Sequence, residues 1–180
     1  MFHEPINIVI TGVGGQGNVL AAQVIAVSAV EAGYLVSSGE TSGLAQRGGP
    51  VMTHVRVFHR PNYGPLVPYG RATVVIGFEP LETMRVLLDY GNKDTVVISN
   101  DRPSYPLGCL QCEENYPNVA QIKDCIKRMV RQCFFIPATD LAAQAGTPMA
   151  ANMVMTGSLA GTGILPFEKE IFKNTIDMLF

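Results

Sequence analysis

Gly12, Gly14 and Gly17 keep the spacing G-x-G-x-x-G inside Ile10-Thr-Gly-Val-Gly-Gly-Gln-Gly17. An apolar run (Ile8, Val9, Ile10) precedes them and an alanine-rich helical pattern follows from about Asn18. Strand, glycine turn and helix in that order suit an anion: bare backbone allows the turn, and N–H groups at a helix N-terminus can face a phosphate. Gly12, Gly14, Gly15, Gln16 and Gly17 are therefore candidate anion contacts. The same glycines would equally serve close packing of strand on helix, and spacing alone leaves both readings open. A valine at Gly14 is expected to cost about 1–3 kcal/mol, through close backbone approach or a positive φ.

A second candidate lies in Glu40-Thr-Ser-Gly-Leu-Ala-Gln-Arg-Gly-Gly-Pro50. Arg47, beside Gln46 and followed by Gly48 and Gly49, can present a guanidinium and bare backbone to an anion. Glu40 stands near the end of the second strand, where a dinucleotide-binding domain keeps a ribose-binding acid, so a free-standing NAD(P)- or FAD-binding protein or a nucleotide-sensing module is the alternative reading. His54 and His59 lack a second ligand at metal spacing and are read as structural. Cys109 and Cys112 have C-x-x-C spacing, but Cys125 and Cys133 do not repeat it. They are read as free thiols on a surface turn; no metal site and no catalytic residue is assigned.

The elements that must position these residues follow a repeating β/α order. Val19 to Glu31 carries a helical repeat stopped by Gly33, and Tyr34 to Ser38 reads as a second strand, giving a Rossmann-like β-α-β unit with a parallel pair. Val51 to Phe58 alternates as a strand. Arg60 to Gly70, rich in proline and glycine, reads as an ordered loop or a flap over a site. Thr73 to Gly77 and Thr95 to Ser99 are all-apolar strands on either side of a helix opened by Phe78-Glu79-Pro80. Asn100 to Pro117 is irregular, with a short strand near Leu107 to Gln111, and an amphipathic helix runs from Val119 to Arg131. Cys133 to Pro137 is the last core strand, Thr139 or Asp140 caps a short helix, and Met149 to Leu159 and Phe167 to Leu179 close the chain. The fold class is α/β with a mostly parallel central sheet.

With 180 residues, 47% of them hydrophobic, the chain can bury a core of its own. Its 16% charged content is low because Pro5 to Val30 and Leu141 to Phe167 contain no Asp, Glu, Lys or Arg. Glycines and amides interrupt both stretches, which excludes membrane spans and leaves burial, or cover by another subunit. A net charge of -2 without a basic cluster argues against nucleic acid. The start MFHEPINIVI lacks a signal-peptide pattern, so a cytoplasmic protein is expected.

Three stretches together carry a resemblance: Ile10 to Gly17; Glu40 to Gly49 with His54-Val-Arg56; and Asn152-Met-Val-Met-Thr-Gly157 followed by Ala160-Gly-Thr-Gly-Ile-Leu-Pro166. The chain resembles the gamma-type subunit of 2-oxoacid:ferredoxin oxidoreductases, and within them the small subunit of the indolepyruvate enzymes. The resemblance implies a single three-layer α/β/α catalytic domain over residues 1–180. It implies a part in the anaerobic oxidative decarboxylation of a 2-oxoacid, pyruvate-like or arylpyruvate, with the acyl group passed to coenzyme A and electrons to ferredoxin. Thiamine diphosphate, magnesium and iron–sulfur clusters are then expected on a large partner subunit, since this chain shows neither a GDG…NN motif nor a ferredoxin-type cysteine run. Coenzyme A is expected at the subunit interface, with the Gly12 to Gly17 turn and the Gln46 to Gly49 loop as its candidate contacts, and the chain alone is expected to be inactive.

Overall fold

The computed structural model describes residues 4–42, 48–60, 63–105 and 116–180. The chain runs β1 (Ile6–Val13), α1 (Asn18–Glu31), β2 (Leu35–Ser42), β3 (Pro50–Phe58), β4 (Val74–Gly77), α2 (Pro80–Tyr90), β5 (Val96–Asn100), α3 (Val119–Met129), β6 (Gln132–Ile136), α4 (Ala138–Gln144), a 3-10 turn (Pro148–Ala150), α5 (Ala151–Gly161) and α6 (Lys169–Leu179). The strands form one six-stranded sheet in the order β2-β3-β1-β4-β5-β6. β1, β4, β5 and β6 pair in parallel, whereas β3 runs antiparallel to both β1 and β2.

β1 is central, and all eight of its residues are buried. Its period-2 alternation sends Ile6, Ile8 and Ile10 to one face, where they meet Ala21, Ile25, Met155 and Leu159 of α1 and α5. Val9 faces the other way and joins Val75 and Val97 under Leu87 of α2 and Ile122 and Ile126 of α3. Helices thus cover both faces, as near-continuous apolar strands require. Each buried isoleucine or valine of β1 contributes about 2 kcal/mol of transfer free energy.

Local signals set most of the helix ends. α1 stops at a left-handed Gly33 (φ 86), with Tyr34 N–H donating to Ala29 O at 2.9 Å in a Schellman-type cap. α2 opens on Glu79, whose carboxylate accepts the Glu82 N–H at 2.8 Å, with Pro80 in the first turn.

Some expectations fail for physical reasons. β2 does not pair with β1, because β3 folds back as a hairpin arm and inserts between them. β6 is an edge strand rather than a core strand, and Phe134 on it is 38% exposed. Neither Thr139 nor Asp140 caps α4; both lie inside it, and the Ala138 N–H is taken by Asn100 Oδ1 at 3.1 Å. Of the two readings of the segment after β3, the packing fits an ordered loop: Val67 lies in the cluster beneath α2, and its N–H donates to His54 Nδ1 at 3.3 Å. The strand expected near Leu107 and the C-x-x-C pair lie outside the described residues.

His54 is 1% exposed and edge-on to Tyr90. Burial, with Arg56 nearby, holds its pKa below the usual histidine range. Since Nδ1 accepts from Val67, the proton sits on Nε2, 3.4 Å from Thr41 Oγ1. His59 pairs with Glu4. Each histidine is thus held by partners within this chain.

Glu79 and Glu82 are 1% and 4% exposed. Burial pushes both carboxyls above the ordinary value of 4.5; hydrogen bonds from Tyr116 and backbone N–H groups offset part of this at Glu79, and Arg85 does so at Glu82. A raised folded-state pKa means that the native state holds the proton more tightly, so the favourable contribution is present at low pH and declines as pH rises above 4.5. Glu79→Gln keeps an acceptor for the Glu82 N–H and is expected to flatten part of that decline. Urea unfolding at about pH 5 and about pH 8 reads the difference; an unchanged pH dependence would contradict the assignment.

Candidate functional site

The carboxyl ends of β1, β4 and β5 open on a crevice of about 660 Å³. α1 leaves β1 over one face of the sheet and α2 leaves β4 over the other, so the crevice stands where the chain's winding reverses, the usual ligand position in open α/β sheets. The glycine turn forms one lip. Gly15 (φ 103) and Gly17 (φ 85) are left-handed, conformations that side chains strain. Gly17 is the N-cap of α1; no side chain caps the helix, and its first turn carries no acidic residue. That leaves the positive end of α1 uncovered.

The turn is tied to its surroundings at every other glycine. Gly14 N–H donates to Gly49 O at 2.8 Å, prolonging the β1–β3 ladder by one rung, and Gly14 is not left-handed, so only the close approach expected there is realised. Gly12 lies inside β1, where a Cβ would come 2.9 Å from Phe78 Cβ and 2.5 Å from Gln16 Oε1. Its role is packing. Gln16 turns its Oε1 back to accept the Val13 N–H at 2.8 Å and reaches Phe78 O with Nε2 at 3.5 Å, while its own N–H is used by Val13 O. The donors of Gly14 and Gln16 are thus spent within the protein, and Gly15, Gly17 and the first turn of α1 face the crevice.

The sequence left the opposite lip unassigned. Asn100, 4% exposed at the end of β5, donates from Nδ2 to Thr139 Oγ1 at 3.0 Å and to Phe78 O at 3.3 Å. Phe78 O therefore receives amides from both lips, which locks their separation. Asn152 in α5 stands against Gly17, with its Nδ2 2.5 Å from where a Cβ of residue 17 would be. The signals for Asn100 and Asn152 were a polar residue ending an apolar strand and an amide within an uncharged helix. Met149, 86% exposed, and Phe180, 69% exposed, rim the opening.

Gly48 and Gly49 join the turn through the Gly14 ladder, whereas Gln46 and Arg47 lie outside the described residues. Glu40 is exposed on β2 and registers with Thr53 of β3. Two strand spacings, about 10 Å, separate it from β1, and it cannot serve as the ribose acid of a dinucleotide fold, whose second strand adjoins the first.

No acid, base or thiol occurs among the described residues lining the crevice. No group of three or more metal-binding side chains occurs among the described residues either. The described side chains of the crevice are amides, a hydroxyl and apolar groups, a lining suited to hydrogen bonding and shape.

A parallel-rich α/β domain with a glycine turn at its winding reversal is the class that the fold and the crevice define. The chain belongs to the pyruvate ferredoxin/flavodoxin oxidoreductase family, whose model matches residues 7–180. It is 39% identical over 171 residues to the indolepyruvate oxidoreductase subunit IorB of Pyrococcus horikoshii, with 94% of this chain and 84% of that one covered. The subunit of the same name from Archaeoglobus fulgidus is 37% identical over 171 residues, covering 95% and 84%. Among solved structures, pyruvate oxidoreductase subunit PORC of Thermotoga maritima superposes with a TM-score of 0.69 at 21% identity, covering 99% of this chain and 86% of that one. The 2-oxoglutarate:ferredoxin oxidoreductase of Magnetococcus marinus, solved with 2-oxoglutarate, coenzyme A and succinyl-CoA bound, has a TM-score of 0.72 at 20% identity. This chain is covered over 99% of its length there, but that polypeptide over 27% of its own. Among the described residues, no helix is long and apolar enough to cross a membrane.

Proposed function

We propose that residues 1–180 act as one domain, the small subunit of an indolepyruvate or related arylpyruvate:ferredoxin oxidoreductase of the cytoplasm, and that the crevice forms one wall of an active site completed by a large partner. The observation that carries this reading is convergence. Stretches distant in the chain meet at one end of the sheet: Gly14 on Gly49, and Gly17 on Asn152. Among the described residues their pocket holds no acid, base or thiol, which supports reaction chemistry supplied by a partner.

Thiamine diphosphate with magnesium would supply carbanion stabilisation after loss of CO2, and iron–sulfur clusters would carry electrons to ferredoxin, both from the partner. This chain's contribution is to orient and enclose. An anionic end of coenzyme A fits the uncapped first turn of α1, where Gly15 and Gly17 let a ligand approach the backbone. Asn100 and Gln16 hold the two lips through Phe78 O. Gly157 and Gly161 of α5 have nothing within 4 Å of where a Cβ would lie, which suits a helix face that another subunit covers.

Titration of the purified chain with NADH, NADPH and FAD tests this reading against a free-standing dinucleotide-binding protein. No saturable binding is expected; micromolar affinity for any one of them would overturn the assignment.

A further inference from the structure

The end of the sheet opposite the crevice holds a second cavity, of about 770 Å³, lined by Asn7, Arg56, Arg71, Thr73 and Asn92 among others. Arg56, on β3, is 7% exposed. Its Nε donates to Asn7 Oδ1 at 2.9 Å and its Nη1 to the carbonyls of Gly64 and Leu66 at 2.9 and 3.2 Å. The guanidinium lies 5.1 Å from the centre of the Tyr63 ring. Every one of these partners is neutral. Nη2 has no acceptor among the described residues, and no carboxylate among them forms an ion pair with Arg56.

A guanidinium stays protonated in a protein, so burial cannot be relieved by losing the charge. The cavity's own acids are engaged elsewhere: Glu4 pairs with His59, and Asp94 with Arg131 at 2.9 Å. Lys93 Nζ reaches away to Arg128 O at 2.7 Å. Arg71 is exposed at the rim and forms no ion pair among the described residues. The bond to Asn7 explains Nε and the clamp on the Gly64–Leu66 backbone explains Nη1, but neither needs Nη2 or a charge that a neutral amide could replace.

We propose that this cavity is an oxyanion site, separate from the crevice, which takes a carboxylate or phosphate group against the Arg56 guanidinium with Arg71 as the rim cation. A planar fork with an unspent edge matches a carboxylate or phosphate oxygen, and a cavity of this size admits the rest of a small metabolite or an acidic side chain of another subunit.

The test follows the Nε–H resonance of Arg56 by NMR in the full chain, with inorganic phosphate and citrate added at constant ionic strength. A saturable shift at millimolar concentrations is expected. Arg71→Ala should weaken it at least roughly threefold without lowering Tm, while Gly15→Ala in the distant glycine turn should leave it unchanged. Absence of a saturable shift, or a shift that Arg71→Ala does not alter, would overturn the proposal. Repeating the titration in the assembled complex separates the sources of the anion: retained binding identifies a small molecule, and lost binding identifies a partner carboxylate already seated on Arg56.

Discussion

Gly77→Ala is expected to lower the stability of the chain by about 3 kcal/mol, enough to deplete the folded protein in cells. Gly77 ends β4, and a Cβ there would overlap Thr83 Oγ1 and lie 2.7 Å from Thr83 Cβ. Thr83 cannot step aside. It is 0% exposed in α2, and its hydroxyl donates to Glu79 O at 2.7 Å and meets Ser99 Oγ at 3.2 Å. A single methyl group therefore pushes α2 off the sheet or breaks a buried hydroxyl pair, and either route is costly. Urea unfolding of the variant measures the loss, and Gly77→Ala with Thr83→Gly should recover part of it, since the second change removes the atoms in the way. A Gly77→Ala protein as stable as the parent would show that β4 and α2 do not pack as described.

Gly17→Val is expected to cost about 3 kcal/mol and to reduce turnover of the assembled enzyme by a factor on the order of 10 to 100. Two independent penalties meet at this residue. Its φ of 85 is one that a branched side chain resists, and Asn152 occupies the space the new atoms need. Displacing Asn152 shifts α5 and widens the crevice at its glycine lip, so loss of activity should exceed what lowered stability alone explains. Gly15→Ala is the control: φ is 103, but nothing lies within 4 Å of the added Cβ. It should show backbone strain of about 1 kcal/mol and no steric loss. Chemical denaturation and steady-state rates on the same preparations separate the two effects.

Much of this architecture was legible in the chain because apolar runs and glycine stops are local signals. TVVIG, TVVIS and the repeat from Val19 to Glu31 each identified their element to within a few residues. Strand order was not legible. Nothing in Tyr34 to Ser38 says that β3 will pair on its inner side, and that insertion is what separates Glu40 from the glycine turn. The edge position of β6 escaped for the same reason, since burial of a strand depends on neighbours that its own residues do not name.

The site was half legible. Glycines announce a turn, and the two glycine loops do meet, through Gly14 and Gly49. The far lip was not visible, because Asn100 and Thr139 carry no motif, and Asn152, though part of one, joins them only when β5, α4 and α5 converge. The capping of α4 by Asn100 rather than by Thr139 is the clearest case: a residue 38 positions away supplied the acceptor that local pattern assigned to a neighbour.

Anaerobic affinity isolation of the tagged chain from its native host tests the central claim most directly, with partners identified by mass and the eluate assayed for thiamine diphosphate and iron. A large subunit in equal amount, carrying both, with arylpyruvate-dependent reduction of ferredoxin that the small chain lacks when purified alone, is the predicted result. A lone, colourless chain that binds a nucleotide and recruits no thiamine enzyme would contradict the account.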